Sequence, residues 1–186
     1  MIAPLTKGMK LYHGSYCRVE KPDLRRCREF KDFGKGFYLT SDLSQATRFA
    51  RLSLKKAQEN GMVTSGQREA YISCFTCQFD ATERIKIYEN ADAEWLHCIV
   101  GHRKENSFPK IVEQLCQFDI IGGKIANDAT NATILAYMAG TFGEIGSPRA
   151  DEICISLLLP DRLHDQYCFR SEFALENLSF GECLTV

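Results

Sequence analysis

The sequence predicts an α+β fold, in which strands and helices contribute to one core. Strand-like and helical segments are interspersed along the chain without the strict strand–helix alternation of a parallel α/β sheet. The 186 residues, 45% of them hydrophobic, suffice for one well-buried core and are few for two. No repeat, low-complexity tract or Pro/Ser-rich linker divides the chain, so residues 1–186 are expected to form a single domain.

Strands are predicted where short apolar or alternating segments end at glycine, proline or a polar turn. Tyr71–Phe79 alternates and is rich in aromatic and small apolar residues. Ile153–Leu159 is a nearly continuous apolar run, which predicts a central strand. The remaining predicted strands are Met9–His13, Lys35–Thr40, Phe118–Ile121, Gln166–Phe169 and Leu178–Leu184.

Helices are predicted from capping residues and a 3.6-residue apolar period. The best-bounded helix begins at Ser41 or Asp42, either of which can cap it, and ends at Asn60-Gly61. Asp42 with Gln45 resembles a capping box. The other predicted helices are Asp92–His102, Phe108–Gln117, a helix capped by Asn127 or Asp128 that runs to Gly140, and a helical turn over Ser171–Asn177. In the Phe108–Gln117 helix one buried stripe is expected to contain Phe108, Ile111, Val112, Leu115 and Cys116.

The charge balance gives no sign of bulk nucleic-acid binding. Charged residues make up 25% of the chain and the formal net charge is −1. Arg25, Arg26 and Arg28, in a long loop predicted over Ser15–Phe33, form either a local basic patch or simply a solvated loop. Neither an apolar run long enough to span a membrane nor a signal-peptide pattern is found in the sequence, so a cytoplasmic protein is expected.

Nine scattered cysteines, an odd number, favour buried reduced thiols over a disulfide framework. Cys74 and Cys77 form a C-x-x-C pair inside the predicted strand Tyr71–Phe79. A structural zinc site needs a second pair of ligands at comparable spacing, and the sequence offers no obvious one. No metal site is therefore predicted.

Three short segments attract functional interest because each lies on or at the end of a predicted strand, where a rigid scaffold can hold a ligand. They are Leu11–Ser15, Gly34–Thr40 and Asp165–Tyr167. Each also has an ordinary structural explanation: a histidine at a strand end is often a structural hydrogen-bonding group, and aromatic residues at a strand–helix junction often belong to the core.

Together the segments resemble the three motifs of the ADP-ribosyltransferase superfamily, in the diphtheria-toxin and poly(ADP-ribose) polymerase-like branch. Tyr12-His13-Gly14-Ser15 is similar to the first motif, and Gly34-Lys35-Gly36-Phe37-Tyr38 to the second, with Phe49 as the second aromatic residue in the following helix. Gln166-Tyr167 is similar to the third. The sequence also resembles a family of small bacterial domains that carry the same Leu-Tyr-His-Gly-Ser and Asp-Phe-Gly-Lys-Gly-Phe-Tyr-Leu-Thr strings.

The resemblance implies a split β-sheet core flanked by helices and a site that binds NAD as substrate. It implies that His13 hydrogen-bonds a ribose hydroxyl, and that Gly14 holds the nicotinamide amide through its backbone, where a Cβ would prevent close approach. Tyr38 would stack on the nicotinamide ring, with Phe49 on its other face. Gln166 would bond the ribose hydroxyl next to the reacting carbon. The implied catalytic residues are His13, Tyr38 and Gln166, and the implied NAD contacts are His13, Gly14, Ser15, Gly36, Tyr38 and Phe49.

The activity implied by this resemblance is mono-ADP-ribosyl transfer from NAD to a macromolecular acceptor, either protein or nucleic acid. Two departures from the family pattern bear on it. Gln166 stands where the best-known members have glutamate, and an amide supplies no full negative charge. Ala46 stands where many relatives have a serine that touches nicotinamide.

Several alternatives remain open at this point. The same site supports NAD hydrolysis without an acceptor, a non-catalytic module that binds NAD or ADP-ribose, or, given a basic groove, transfer of an RNA phosphate onto NAD. A toxin-like activity restrained by an inhibitory partner protein is also compatible with the resemblance. Glu172 is the main competitor for an acidic role but is expected on a turn facing solvent, and Asn127 and Asp128 either cap a helix or approach the ligand.

Overall fold

A computed structural model describes residue 2 and residues 4–78, 84–125, 128–159 and 163–186, with the side chains of residues 128 and 129 left undescribed. The chain is α+β, with two β-sheets flanked by helices, as predicted. The strands are β1 (Lys10–Ser15), β2 (Phe37–Leu39), β3 (Tyr71–Cys77), β4 (Ile85–Ile87), β5 (Ile120–Lys124), β6 (Asp165–Phe169) and β7 (Leu178–Thr185). The helices are α1 (Leu43–Glu59), α2 (Ala93–Arg103), α3 (Pro109–Leu115), α4 (Asp128–Met138), α5 (Pro148–Leu158) and α6 (Glu172–Glu176).

The strands form one three-stranded and one four-stranded sheet. In the first, β3 lies between β1 and β7 and is antiparallel to both. In the second, the order is β2-β6-β5-β4, antiparallel except for the parallel pair β4–β5. Two backbone hydrogen bonds between Tyr12 and Thr40 join the sheets, with N···O distances of 2.8 and 3.0 Å. This bridge brings the middle of β1 beside the end of β2, so that two of the three sequence motifs are neighbours.

Three apolar clusters hold these layers together. One lies between the two sheets and contains Leu11, Phe37, Phe75 and Phe169. A second covers the other face of the four-stranded sheet with side chains from α2, α4 and α5, and a third packs α1 onto β1 and β3. Each cluster removes large apolar side chains from water, which is the main favourable contribution to folding.

Helix α1 begins and ends close to where the sequence predicts. Asp42 caps it by accepting hydrogen bonds from the backbone N–H groups of Ser44 and Gln45, at 2.7 and 3.1 Å. The Gln45 side chain does not complete a capping box; its amide donates to the backbone carbonyl of Asp165 instead, at 3.1 Å. Ala46, Ala50, Leu54 and Ala57 are buried, whereas Leu43, the first residue of the helix, is 42% exposed.

The predicted central strand over Ile153–Leu159 is wrong, because residues 153–158 are helical and Leu159 is the C-terminal cap of that helix. Residues 153–158 belong to α5, which Ser147 caps and Pro148 opens, at the first-turn position that proline favours. Ala150, Cys154 and Leu158 are buried at a spacing of four residues, while Leu157 and Leu159 are more than half exposed. A continuous apolar run does not distinguish these two structures, because both a buried strand and a helix with apolar residues on two faces produce it.

Two further expectations need correction. In the helix predicted over Phe108–Gln117, Leu115 is the stripe residue that is fully buried, and Cys116 is exposed because it lies at the C-terminal cap of α3. The loop predicted over Ser15–Phe33 is not all surface: Asp32 and Phe33 are 7% and 0% exposed. Strand β4 was missed, since three residues give too short a pattern to recognise. Asn127, one of the two candidate caps of the helix that runs to Gly140, lies outside the described residues.

The cysteines divide between core and surface. Burial raises the pKa of the Cys77 thiol to about 12, which keeps it protonated. Within the described residues, no group of three or more His, Cys, Asp and Glu side chains is arranged to hold a metal ion. The buried cysteines are Cys74, Cys77, Cys98, Cys154 and Cys168, and the exposed ones are Cys17 and Cys116. Among the helices that the structure describes, none is both long and apolar enough to cross a membrane.

Candidate functional site

A cleft of about 1370 Å³ opens between α1 and the α2–α4 side of the molecule, with β2 and β6 at its base. The long loop before β2 forms one wall. Every residue that the sequence assigned to the site lines this cleft, although these residues come from four separate parts of the chain: His13, Gly14, Ser15, Gly36, Tyr38, Phe49 and Gln166. The volume exceeds the 300–1,000 Å³ typical of small-molecule pockets, which leaves room for an extended ligand.

His13 is held in one tautomer by the neighbouring strand. Its Nδ1 donates to the backbone carbonyl of Tyr38 at 2.9 Å, because a carbonyl oxygen can only accept. Burial lowers the pKa of His13 and outweighs this hydrogen bond, so the ring is neutral near pH 7. The imidazole also packs on the ring of Phe37, with centroids 4.3 Å apart. In this tautomer Nε2 carries the lone pair and can accept a hydrogen bond.

Tyr38 presents an aromatic ring whose hydroxyl is already engaged. The hydroxyl donates to the carbonyl of Gly34 at 2.7 Å and accepts from the N–H of Phe33 at 2.9 Å. Burial raises the pKa of Tyr38 well above its ordinary value, so the phenol is neutral. These contacts fix the ring and the preceding loop together. Tyr38 is thus suited to stacking rather than to proton transfer.

Phe49 faces the cleft from α1 with 38% of its surface exposed. An exposed aromatic ring on a rigid helix can stack on a ligand, because core side chains do not cover its exposed surface. Ser15, at the end of β1, is 8% exposed, and its Oγ accepts from the N–H of Cys17 at 3.4 Å. Ala46 is completely buried in α1, so this chain has no hydroxyl at that position.

The glycines of the first two motifs are required by packing inside the protein. A Cβ on Gly14 would overlap the carbonyl oxygen of Ala46 and lie 2.7 Å from the backbone nitrogen of Ala50. A Cβ on Gly36 would overlap the sulfur of Cys168 and lie 2.6 Å from the carbonyl oxygen of Phe169. Helix α1 fills the Cβ position of Gly14, so packing alone already requires a glycine there. The expected contact of the Gly14 backbone with nicotinamide stays a prediction.

Gln166 belongs to a buried polar network that the sequence did not predict. Its amide Nε2 donates to Oδ2 of Asp32 at 2.7 Å. The other oxygen of Asp32 accepts from Arg103, through Nε at 2.8 Å and through a second guanidinium nitrogen. Arg103 also donates to Oδ1 of Asn131 at 2.9 Å. All four side chains line the cleft, and those of Asp32 and Arg103 are only 9% and 15% exposed.

Sequence reasoning missed Asp32 and Arg103 for different reasons. Asp32 stands in the Asp32-Phe33-Gly34 run, which leads directly into the second motif, so a signal was present. Arg103 gave none, since a basic residue in the last turn of α2 has an ordinary role at the negative end of the helix. Their partnership spans 71 residues and depends on how α2 packs against the loop.

The neighbouring strand end is fixed by Asp165. Its carboxylate accepts from the Thr40 hydroxyl and from the backbone N–H of Ser41, both at 2.9 Å, and from the Ser41 hydroxyl. These bonds tie the start of β6 to the junction between β2 and α1. Gln166, the next residue, consequently has a fixed backbone position opposite Gly123 of β5.

Cationic side chains outnumber carboxylates around the cleft, although the whole chain carries a net charge of −1. Lys31 shows their proximity: burial lowers its pKa, and the charges of Arg28, Lys56 and Arg103 lower it further, against Asp32. Arg25 and Arg26 are about 90% exposed and pair with Asp23. The cations lining the cleft are Arg18, Lys21, Arg25, Arg26, Arg28, Lys31, Lys56 and Arg103, and the carboxylates are Glu20, Asp23, Asp32 and Glu172.

Glu172 begins α6 and is exposed, as expected, but it also lines the outer part of the cleft. Asp128 opens α4, and its side chain lies outside the described residues. The chain has no match among curated proteins. Residues 9–180, a range that includes every candidate residue named above, match the family described as "Protein of unknown function (DUF3990)", and the chain belongs to that family.

Proposed function

We propose that the protein transfers a single ADP-ribosyl group from NAD to a macromolecular acceptor. The observation that carries this proposal is the convergence of His13, Tyr38 and Gln166, which are distant in sequence, on one cleft. These are the residues that the resemblance to ADP-ribosyltransferases assigns to the reaction. In this proposal NAD is the substrate, and the second partner is the acceptor of the ADP-ribosyl group, either a protein or a nucleic acid.

In the proposed reaction the bond between nicotinamide nitrogen and ribose C1′ breaks, and its electron pair leaves with nicotinamide. Positive charge then develops on the ribose before the acceptor's nucleophilic atom bonds to C1′ and loses its proton. The protein has to hold both ends of the breaking bond and favour the developing charge. Neutral His13, with its acceptor at Nε2, is suited to receive a hydrogen bond from a ribose hydroxyl.

The remaining features of the cleft support a dinucleotide ligand. Tyr38, held by its hydroxyl, and the exposed ring of Phe49 supply aromatic surface for nicotinamide. The cations around Lys31 suit the diphosphate, since a cleft with one prevailing sign of charge attracts ligands of the other sign. Gln166, fixed between Asp165 and Asp32, offers a neutral polar group near the base of the cleft.

The test has a binding arm and a transfer arm. Calorimetry with NAD should give saturable binding for wild type and at least about tenfold weaker binding for His13→Ala, the loss of roughly 1.4 kcal/mol expected for one buried hydrogen bond. Transfer of label from NAD carrying it in the adenylate half should produce a labelled macromolecule. Protease or nuclease digestion of that product then identifies the acceptor class. Wild type that does not bind NAD would contradict the proposal.

A second candidate function is binding of NAD without transfer, which Gln166 and Ala46 favour. The amide has no full negative charge to stabilise the ribosyl cation, and the alanine lacks a hydroxyl for nicotinamide. Loss of such preorganised groups can lower a rate on the order of 10²- to 10³-fold. Saturable NAD binding with no nicotinamide released over hours would select this function. Nicotinamide release in buffer without an acceptor would instead indicate hydrolysis.

A further inference from the structure

The amide of Gln166 has two chemically opposite ends of nearly equal shape. Its NH₂ group only donates hydrogen bonds, and its carbonyl oxygen only accepts them. Rotating the amide by half a turn exchanges these ends with almost no change in volume, so its hydrogen-bond partners decide its orientation. Here the Asp32 carboxylate, an acceptor, lies 2.7 Å from Nε2. The NH₂ end therefore faces Asp32, and the carbonyl oxygen is turned away from it.

Asp32 is itself fixed in place. Two guanidinium nitrogens of Arg103 donate to its Oδ1, which leaves Oδ2 for Gln166, and Asn131 accepts from the same guanidinium. A buried carboxylate with this ion pair is both oriented and compensated in charge. Asn131, Arg103, Asp32 and Gln166 are thus joined by consecutive hydrogen bonds. The donors and acceptors in this series set the orientation of the Gln166 amide.

This orientation matters to the proposed reaction. A ribose hydroxyl next to the reacting carbon needs an acceptor, and the negative end of a carbonyl dipole favours the positive charge that develops there. The NH₂ end would present a positive dipole to the same charge. One carboxylate thus determines whether Gln166 assists the reaction or opposes it.

We propose that Asp32 is a positioning residue for Gln166, which it holds with the carbonyl oxygen available to the ribose. Exchanging the acid and the amide, through Asp32→Asn combined with Gln166→Glu, preserves this arrangement. The inference rests on the proposed function, because it assigns the ribose as the group that meets Gln166. It also accounts for the amide at position 166, where the family that the sequence resembles has a carboxylate. Here the carboxylate belongs to Asp32, which accepts a hydrogen bond from that amide.

Four proteins distinguish this role from simple stabilisation: wild type, Asp32→Asn, Gln166→Glu and the double variant. In Asp32→Asn, Arg103 retains the asparagine carbonyl, so the asparagine NH₂ faces Gln166 and reverses its amide. In the double variant the same NH₂ donates to the carboxylate introduced at position 166, whose second oxygen is again an acceptor. The net charge of the network equals that of wild type. Asp119→Asn, which removes the carboxylate paired with Arg84 outside this cleft, is a matched control for loss of an ion pair.

Nicotinamide release is the first measurement. Asp32→Asn should lower kcat on the order of 10²-fold with a much smaller change in the Kd for NAD, as for removal of one preorganised group. The double variant should recover at least the wild-type kcat, and Asp119→Asn should retain it. A double variant as inactive as Asp32→Asn, or kcat losses that merely follow stability in all variants, would overturn the inference.

The second measurement uses no NAD and separates this inference from the proposed function. Gln166→Glu places two carboxylates within hydrogen-bond distance, and such a pair shares one proton at low pH and repels at high pH. Its Tm relative to wild type should fall by about 4 °C or more from pH 5.5 to pH 8, and the double variant should not show this fall. If the Tm of Gln166→Glu changes with pH in the same way as that of wild type, the Asp32–Gln166 coupling is overturned even if NAD binds. Wild type that fails to bind NAD would overturn the proposed function, while the Tm profiles still decide the coupling.

Discussion

Replacement of Gly14 by alanine tests why the first motif contains a glycine. The added Cβ would overlap the Ala46 carbonyl oxygen and lie 2.7 Å from the Ala50 nitrogen, and both atoms belong to the backbone of α1. A backbone cannot rotate away as a side chain can, so α1 has to move off β1. Overpacking of this kind costs about 3 kcal/mol in the free energy of unfolding. For a chain of this length that corresponds to a Tm lower by about 6–12 °C.

The assay is urea denaturation of the ligand-free protein, because the cost arises inside the fold and not at the ligand. Gly181→Ala is the matched control: its Cβ would meet the carbonyl oxygen of Cys74 at 3.7 Å, an ordinary contact. We expect this control to stay within about 1 kcal/mol of wild type. If Gly14→Ala unfolds like wild type and loses only NAD affinity, the glycine serves ligand approach and the packing argument is refuted.

Three further predictions follow from the cleft. Burial lowers the pKa of His13 below its ordinary 6.5, so its neutral ring contributes stability above pH 6.5, and this stability is lost as the pH falls toward the lowered pKa. The fall of Tm between pH 7 and pH 5 should therefore be smaller in His13→Gln than in wild type. The same dependence of Tm on pH in both proteins would contradict this. Phe49→Ala should weaken NAD binding about fivefold or more in calorimetry, through loss of about 1–3 kcal/mol of stacking. Leu43→Ala, similarly exposed on α1 but outside the cleft lining, should bind normally, and equal losses would argue against stacking. Arg103→Met should cost about 3–5 kcal/mol in urea denaturation because it leaves the Asp32 carboxylate buried without its cation, and a cost below about 1 kcal/mol would be evidence against that pairing.

Much of the fold can be predicted from local sequence. Asp42 caps α1 and Asn60-Gly61 ends it as expected, since capping depends only on residues a few positions apart. Most of the predicted strands also exist within a few residues of their expected bounds, because alternation and turn residues are local signals. Ile153–Leu159 shows where such signals fail: its apolar residues suit a buried strand and a buried helix equally well, and the cap at Ser147 and the proline after it were the deciding features.

The candidate site residues can also be identified from the sequence alone. His13, Tyr38 and Gln166 lie in motifs that resemble those of a known superfamily, and short motifs of this kind are recognised without distances. Their meeting in one cleft depends on the pairing of β2 with β6 and on the Tyr12–Thr40 bridge. These contacts join parts of the chain that are far apart, so they follow from the packing of the whole molecule rather than from any short pattern.

The sequence by itself determined the α+β class, the limits of α1 and the identities of the motif residues, because these depend on neighbouring residues or on short strings. Only the tertiary structure shows what surrounds Gly14, Asp32 and Arg103. Helix α1 occupies the space beside Gly14, and the packing of α2 brings the Arg103 guanidinium to the Asp32 carboxylate and thereby orients Gln166. Hydrogen bonds of this kind depend on distances of a few ångströms between groups that are 71 and 134 residues apart in the chain, and no local pattern encodes such distances.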